Sequence, residues 1–265
     1  MKIWAVANQK GGVGKTTTAI TLAGLLSSRG YNTLMVDMDP HGSLTSYSGF
    51  DPDTVDDGVY TLFRGTNIML ASIIKRTRFD KLYIMPASTV LATLDRQLGA
   101  QDGKGLVLSQ TLQRISMRFD YVLIDCPPML GVLMVNALAA CDHLIIPVQT
   151  DFLALKGLER MMYTLNMIMR SRKIPVPYTV LPTMYDKRTR ASQQGLQYLQ
   201  ERHAENLSST LIPVDTQFRE ASRVGMPLSM MDRYSRGVVA YTALLDSLTE
   251  VDYMHDQPLA KVVAM

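Results

Sequence analysis

The chain has 265 residues, 47% of them hydrophobic and 19% charged, a balance that fits a folded soluble protein of one large or two small domains and excludes a disordered or collagen-like chain. Its net charge of +3 and pI near 8.8 permit an anionic partner without requiring one. The two cysteines, Cys126 and Cys141, lie in apolar surroundings with no zinc spacing, and no apolar run is long enough to span a bilayer. A disulfide scaffold, a zinc module and a membrane-inserted protein are therefore not expected.

Taken in order, the chain alternates apolar runs with helical periodicity. Residues 2–8, KIWAVAN, read as a buried strand, which also argues against a signal peptide and points to the cytoplasm. Residues 17–30 carry helical spacing and stop at Gly30. Further strands are expected at 32–37, 81–86, 120–125, 142–148, 177–183 and 209–214, and helices at 88–99, 105–118, 131–140, 153–170, 190–203 and 235–250. Continuous apolar strands separated by helices imply one α/β domain of three layers, a mostly parallel sheet covered on both faces, over residues 1–250. The segment 251–265 loses the helical pattern at Pro258 and reads as a flexible tail. The 18 methionines fall at core-like positions and read as adaptable packing.

Three strand ends carry chemistry. The first strand runs into Gly11, Gly12, Val13, Gly14, Lys15 and Thr16, followed by Thr17. Glycines let successive backbone N–H groups turn inward on an anion, and the following helix adds its positive end. Lys15 would reach the outer phosphates and the Thr16 hydroxyl would hold Mg²⁺. Where this phosphate-loop pattern opens with glycine the chain has Gln9, and next to it stands a second lysine, Lys10, which the pattern does not need. From the loop alone, Lys10 is a solvated lysine, a contact to its own nucleotide, or something else. The second strand end is DYVLIDCPP, 120–128, which delivers Asp125 to a position suited to the Mg²⁺ water shell. Cys126 beside it reads as a small core residue, and Pro127 and Pro128 stiffen a turn near the expected γ-phosphate. The third is MVDMDPHGSL, 35–44. Asp39, past the strand and before a proline turn, is the better placed of two aspartates to position a water for hydrolysis or join the metal shell; Asp37 is a capping or magnesium-shell group.

Together, KGGVGKTT at 10–17, DMDP at 37–40 and DCPP at 125–128 resemble the ParA/MinD group of deviant Walker ATPases, and the resemblance runs from Met1 to about residue 250. It implies a P-loop NTPase fold, ATP and Mg²⁺ as cofactors, weak ATP hydrolysis stimulated by a partner or cargo adaptor, and a homodimer formed on ATP binding. It implies that Lys10 crosses the dimer interface to the partner's phosphates, that Asp39 and Asp125 are the hydrolytic and Walker B aspartates, and that Pro213, Val214 and Asp215 lie at the adenine. His41 departs from the glutamine that relatives carry after this DP, which leaves the hydrolysis rate open.

Members of the group differ in the surface they bind. The ending QPLAKVVAM makes a poor membrane helix, so membrane association is not expected. Two segments resemble the DNA-binding parts of ParA-like members: 183–192, with Lys187, Arg188 and Arg190, and 215–227, with Arg219 and Arg223. Such residues could meet phosphates along a duplex without reading sequence; otherwise they are a solvated basic cluster. An N-terminal helix-turn-helix domain, and with it operator-type regulation, is not expected. The resemblance implies a location on the nucleoid or at the pole. Its leading reading is a switch ATPase that positions chemotaxis arrays, its alternative the partition of plasmids or chromosomes. Readings from other classes are a metabolic ligase, an iron–sulfur reductase, which the cysteine placement argues against, and a non-hydrolysing ATP sensor.

Overall fold

A computed structural model of the chain describes residues 1–65, 69–98, 104–170 and 175–256. Seven strands form one sheet: β1 (Lys2–Val6), β2 (Thr33–Asp37), β3 (Lys75–Arg76), β4 (Leu82–Met85), β5 (Tyr121–Asp125), β6 (His143–Gln149) and β7 (Tyr178–Thr183), in the order β3-β4-β2-β5-β1-β6-β7. All neighbours are parallel except the edge pair β3 and β4. The central strand β1 pairs with β5 and β6, and β2 pairs with β5 so that Asp37 stands opposite Asp125. The chemistry-bearing strand ends therefore share one edge of the sheet, where ligands of open parallel sheets bind.

The helices are α1 (Lys15–Ser28), α2 (Ser43–Tyr47), α3 (Val59–Arg64), α4 (Leu70–Ile73), α5 (Leu91–Leu98), α6 (Val107–Gln113), α7 (Val132–Ala140), α8 (Phe152–Met169), α9 (Arg190–His203), α10 (Gln217–Arg223), α11 (Leu228–Met231) and α12 (Arg236–Asp256). They split between two faces because successive strand residues point to opposite sides. Ile3, Ala5, Leu34, Val36, Val122 and Ile124 join the core beneath α3 and α5–α9. Their neighbours Trp4, Val6, Met35 and Leu123 join the core beneath α1 and α12. Helix α1 is buried on most of its circumference, between the sheet and α11 and α12. Asp151 starts α8 by accepting the Ala154 N–H at 2.9 Å, and Thr189 starts α9 by accepting that of Ser192 at 3.3 Å.

Three expectations need correction. The segment 209–214 is not a strand. The chain from Leu207 to Val214 runs beside the end of β7 through isolated bridges, Val180 to Leu207 and Tyr185 to Pro213, and between them the Ser208 hydroxyl accepts the Thr210 N–H at 3.0 Å in a local turn. The helix expected at 105–118 is regular only over Val107–Gln113, beyond which Arg114, Ile115 and Arg118 donate to the third residue back in tighter turns. Helix α12 runs through Asp256, past the expected boundary at 250. Of the expected tail, residues 257–265 lie outside the described residues, as does residue 99 of the helix expected at 88–99. Among the described residues no helix is long and apolar enough to cross a membrane.

Candidate functional site

The glycine loop is tied down on both sides before it curls. Asn8 is buried; its amide donates to Pro147 O at 2.8 Å, and its Oδ1 accepts the Lys10 N–H at 3.1 Å. Gln9 reaches over to α8, donating to Thr164 Oγ1 at 2.6 Å. Gly12 and Gly14 have φ of 77° and 90°, left-handed values that a side chain would strain. Gly14 precedes α1, and among the described residues no side chain caps that helix start, so its first N–H groups are left for a ligand. Lys15, only 8% exposed, lies back along the loop with its Nζ donating to Lys10 O at 3.2 Å. Behind the loop, Thr183 Oγ1 at the end of β7 donates to Val13 O at 2.9 Å.

Thr16 and Asp125 meet beneath the loop, the hydroxyl donating to Asp125 Oδ2 at 2.6 Å. The other carboxylate oxygen, Oδ1, is buried and has no hydrogen-bond partner among the described residues. Burial and the neighbouring Asp37 charge push the Asp125 carboxyl well above the usual range, against the pull of the Thr16 hydroxyl and Lys15. An orphaned buried oxygen beside a threonine hydroxyl in a carboxylate-rich corner fits a hydrated divalent cation.

Asp37 does a different job. It accepts the Thr45 N–H at 2.8 Å, the Thr45 hydroxyl at 2.6 Å and the Asp39 N–H at 3.1 Å, which fixes the turn into α2. Burial pushes its carboxyl up to about 7 in spite of these bonds. Of the two alternatives for Asp37, the contacts are those of a capping group. Asp39 instead lines the open cleft. Its Oδ1 accepts both the His41 backbone N–H at 3.0 Å and His41 Nδ1 at 2.8 Å.

The cleft above the loop holds about 650 Å³ and is walled by Gly11, Gly12, Gly14, Lys15, Thr16, Thr17, Asp39, Pro128 and the segment Pro213, Val214 and Asp215. That size suits a mononucleotide. Asp215 braces the far wall, accepting Gln217 N–H on one oxygen and Gly237 N–H on the other, both at 3.0 Å. Tyr47, Met184, Phe218 and Tyr241 also line it and were not anticipated. Phe218 packs edge-on against Tyr241, whose hydroxyl pairs with Thr18 Oγ1 at 2.7 Å.

Lys10 is exposed and is not among the residues lining the cleft. Its base is seated on α8, where a Cβ added at Gly157 would lie 2.8 Å from Lys10 Cβ. The basic residues divide. Lys187 and Arg188 are exposed in the turn before α9, with Arg188 paired to Asp186 at 2.7 Å, which pulls the Asp186 carboxyl down to about 2. Arg223 on α10 is exposed and pairs with Glu220 at 3.0 Å, while Arg219, on the same helix, lines the cleft. Cys126 and Cys141 are both fully buried, and burial pushes the Cys126 thiol up.

A phosphate-binding loop between β1 and α1, a Thr–Asp pair beneath it and a mononucleotide-sized cleft at the sheet edge define a P-loop nucleotide-binding protein. Comparison with known proteins narrows the class. Residues 1–176 match the AAA domain family. The chain is 35% identical over 244 residues to sporulation initiation inhibitor protein Soj of Bacillus subtilis, covering 92% of this chain and 96% of that protein. It is 32% identical over 252 residues to chromosome partitioning protein ParA of Myxococcus xanthus, covering 95% and 89%. Among solved structures, cobyrinic acid a,c-diamide synthase from Mycobacterium smegmatis with bound ATP analog and magnesium superposes with a TM-score of 0.80 at 32% identity, over 94% of each chain. The chain belongs to the ParA/MinD family of P-loop ATPases.

Proposed function

We propose that this ATPase is a nucleotide-switched dimer that segregates or positions cargo, with ATP and Mg²⁺ in the cleft. The observation that carries the reading is the placement of the two lysines. Lys15 is buried along its own loop, whereas Lys10 packs its base against α8, is exposed and does not line its own cleft. A cation fixed outside the site it belongs to is available to a second copy's phosphates, so bound nucleotide would add to what holds two protomers together. Apolar exposure on the same edge supports this. Phe152 and Leu153 start α8 at 71% and 65% exposed, and Met129 follows β5 at 73%. In this reading Gly11 to Thr17 cradle the phosphates and Thr16 and Asp125 hold hydrated Mg²⁺. Asp39 positions the attacking water, and Pro213, Val214 and Asp215 face the base.

The names of the chromosome-partitioning relatives favour chromosomal DNA as the cargo or track, gripped without sequence preference by Lys187, Arg188, Arg219 and Arg223. A protein array such as a chemotaxis cluster is the alternative cargo, and a stimulating adaptor resets the switch. The experiment is sedimentation velocity with ATP and Mg²⁺ on four proteins. The wild type dimerises; Lys15→Ala neither binds nucleotide nor dimerises; Lys10→Ala binds nucleotide and stays monomeric; Asp39→Ala accumulates as dimer. A Lys10→Ala protein that dimerises like the wild type overturns the reading. The name of the solved diamide synthase motivates a second reading, ATP-driven amide formation on a carboxylic acid. ADP release that requires such an acid and an amine donor would favour it.

A further inference from the structure

We infer that His41 is the positioning residue for Asp39, fixing the carboxylate of the water-orienting group through its Nδ1–H; this rests on the hydrolytic role proposed above. Asp39 is the only one of the three strand-end aspartates that opens on the cleft, with its side chain 13% exposed. Asp37 is held by three hydrogen bonds and Asp125 by the Thr16 hydroxyl. Among the described residues the Asp39 carboxylate has two contacts, both from His41, the backbone N–H at 3.0 Å and Nδ1 at 2.8 Å, and both fall on Oδ1. A carboxylate only accepts, so the ring proton in this contact sits on Nδ1. With Oδ1 doubly occupied, Oδ2 is the oxygen left to hold a water.

The arrangement is a lock on rotamer. The backbone N–H alone fixes one oxygen and leaves the carboxyl free to swing about it. A second donor to the same oxygen, from a ring attached two residues on, removes that freedom. Positioning of this kind acts on the reacting geometry and not on nucleotide affinity. The ring itself is 78% exposed, so it contributes little to the fold.

The side-chain chemistry sets the test. In asparagine the amide nitrogen is attached at the same carbon as Nδ1 in histidine, whereas in glutamine it lies one bond further out. Steady-state ATP hydrolysis is measured for wild type, His41→Ala, His41→Asn, His41→Gln and Asp39→Ala, with binding of a fluorescent ATP analogue measured in parallel. His41→Ala is expected to lower kcat by about three- to tenfold with KM and analogue affinity unchanged. His41→Asn recovers to within about twofold of wild type, and His41→Gln recovers less. Nitrogen-15 NMR of the imidazole under mildly alkaline conditions gives a readout independent of turnover: His41 shows the Nδ1–H tautomer in the wild type and loses it in Asp39→Ala. A His41→Ala protein with wild-type kcat, or one whose analogue affinity falls in step with kcat, overturns the positioning role. An Nε2–H tautomer in the wild type overturns the contact. Hydrolysis undiminished in Asp39→Ala overturns instead the hydrolytic role of Asp39, and with it this inference.

Discussion

Substituting Gly157 by alanine tests how Lys10 is seated. The new Cβ would lie 2.8 Å from Lys10 Cβ and 3.6 Å from Asn8 Oδ1. Carbon atoms rest about 3.5–4.0 Å apart, so the Lys10 backbone must retreat by roughly 1 Å. Retreat strains the Asn8 bond to Lys10 N–H and the Lys15 bond to Lys10 O. Overpacking of this kind costs about 1–3 kcal/mol, and the better helix propensity of alanine in α8 returns about 1 kcal/mol. The net loss of about 0–2 kcal/mol lowers Tm by at most about 8 °C, which leaves the protein folded. The effect on the dimer is expected to be larger, because a lysine displaced at its root misses a phosphate it must reach across an interface. A weakening of at least about tenfold, or roughly 1.4 kcal/mol, is expected in the ATP-dependent dimer constant. Sedimentation velocity across a concentration series measures it, beside Tm by calorimetry and binding of a fluorescent nucleotide to the monomer. A Gly157→Ala protein with the wild-type dimer constant refutes the claim that α8 seats the lysine.

Three further outcomes follow from the same contacts. Asp37 titrates near 7 when folded and near 3.9 when unfolded, so between these values the folded chain holds more protons. Without nucleotide, stability should therefore fall as pH rises from about 4 through about 7, with the raised Asp125 carboxyl acting in the same direction, and Asp37→Asn should reduce that slope in denaturant titrations. Tyr241→Phe strands the buried Thr18 hydroxyl and should cost about 1 kcal/mol, lowering Tm by about 2–4 °C. Arg188→Ala should weaken duplex binding uniformly across sequences and reduce the salt slope by about 1, whereas Asp186→Asn, which frees the Arg188 guanidinium, should strengthen it; anisotropy against salt concentration measures both.

What the sequence made legible follows from where its signals are local. The positive-φ glycines at 12 and 14 and the apolar run into Asp125 are short-range features, and both place their residues where expected. The sheet was legible because both faces are buried, so its strands read as unbroken apolar runs. The part of the cleft's far wall beyond Pro213, Val214 and Asp215 was not. It includes Phe218 and Ser222 of α10, a helix of seven residues that carries too few turns to show a period. For the same reason Arg219 could be read as basic but not as facing the cleft. The roles of Asp37 and Asp39 separate only through Thr45 and His41, contacts that a spacing of two does not distinguish. The false strand at 209–214 had the right apolar content, but the local turn in which Ser208 accepts the Thr210 N–H leaves isolated bridges in place of a ladder.

Helix α8 carries a consequence of its own. It holds the phosphate loop twice, by Thr164 under Gln9 and by Gly157 under Lys10, and it begins with Phe152 and Leu153 bared to water. Because Gln9 and Lys10 rest on this one rod, a shift of α8 relative to the sheet would disturb both supports of the loop at once.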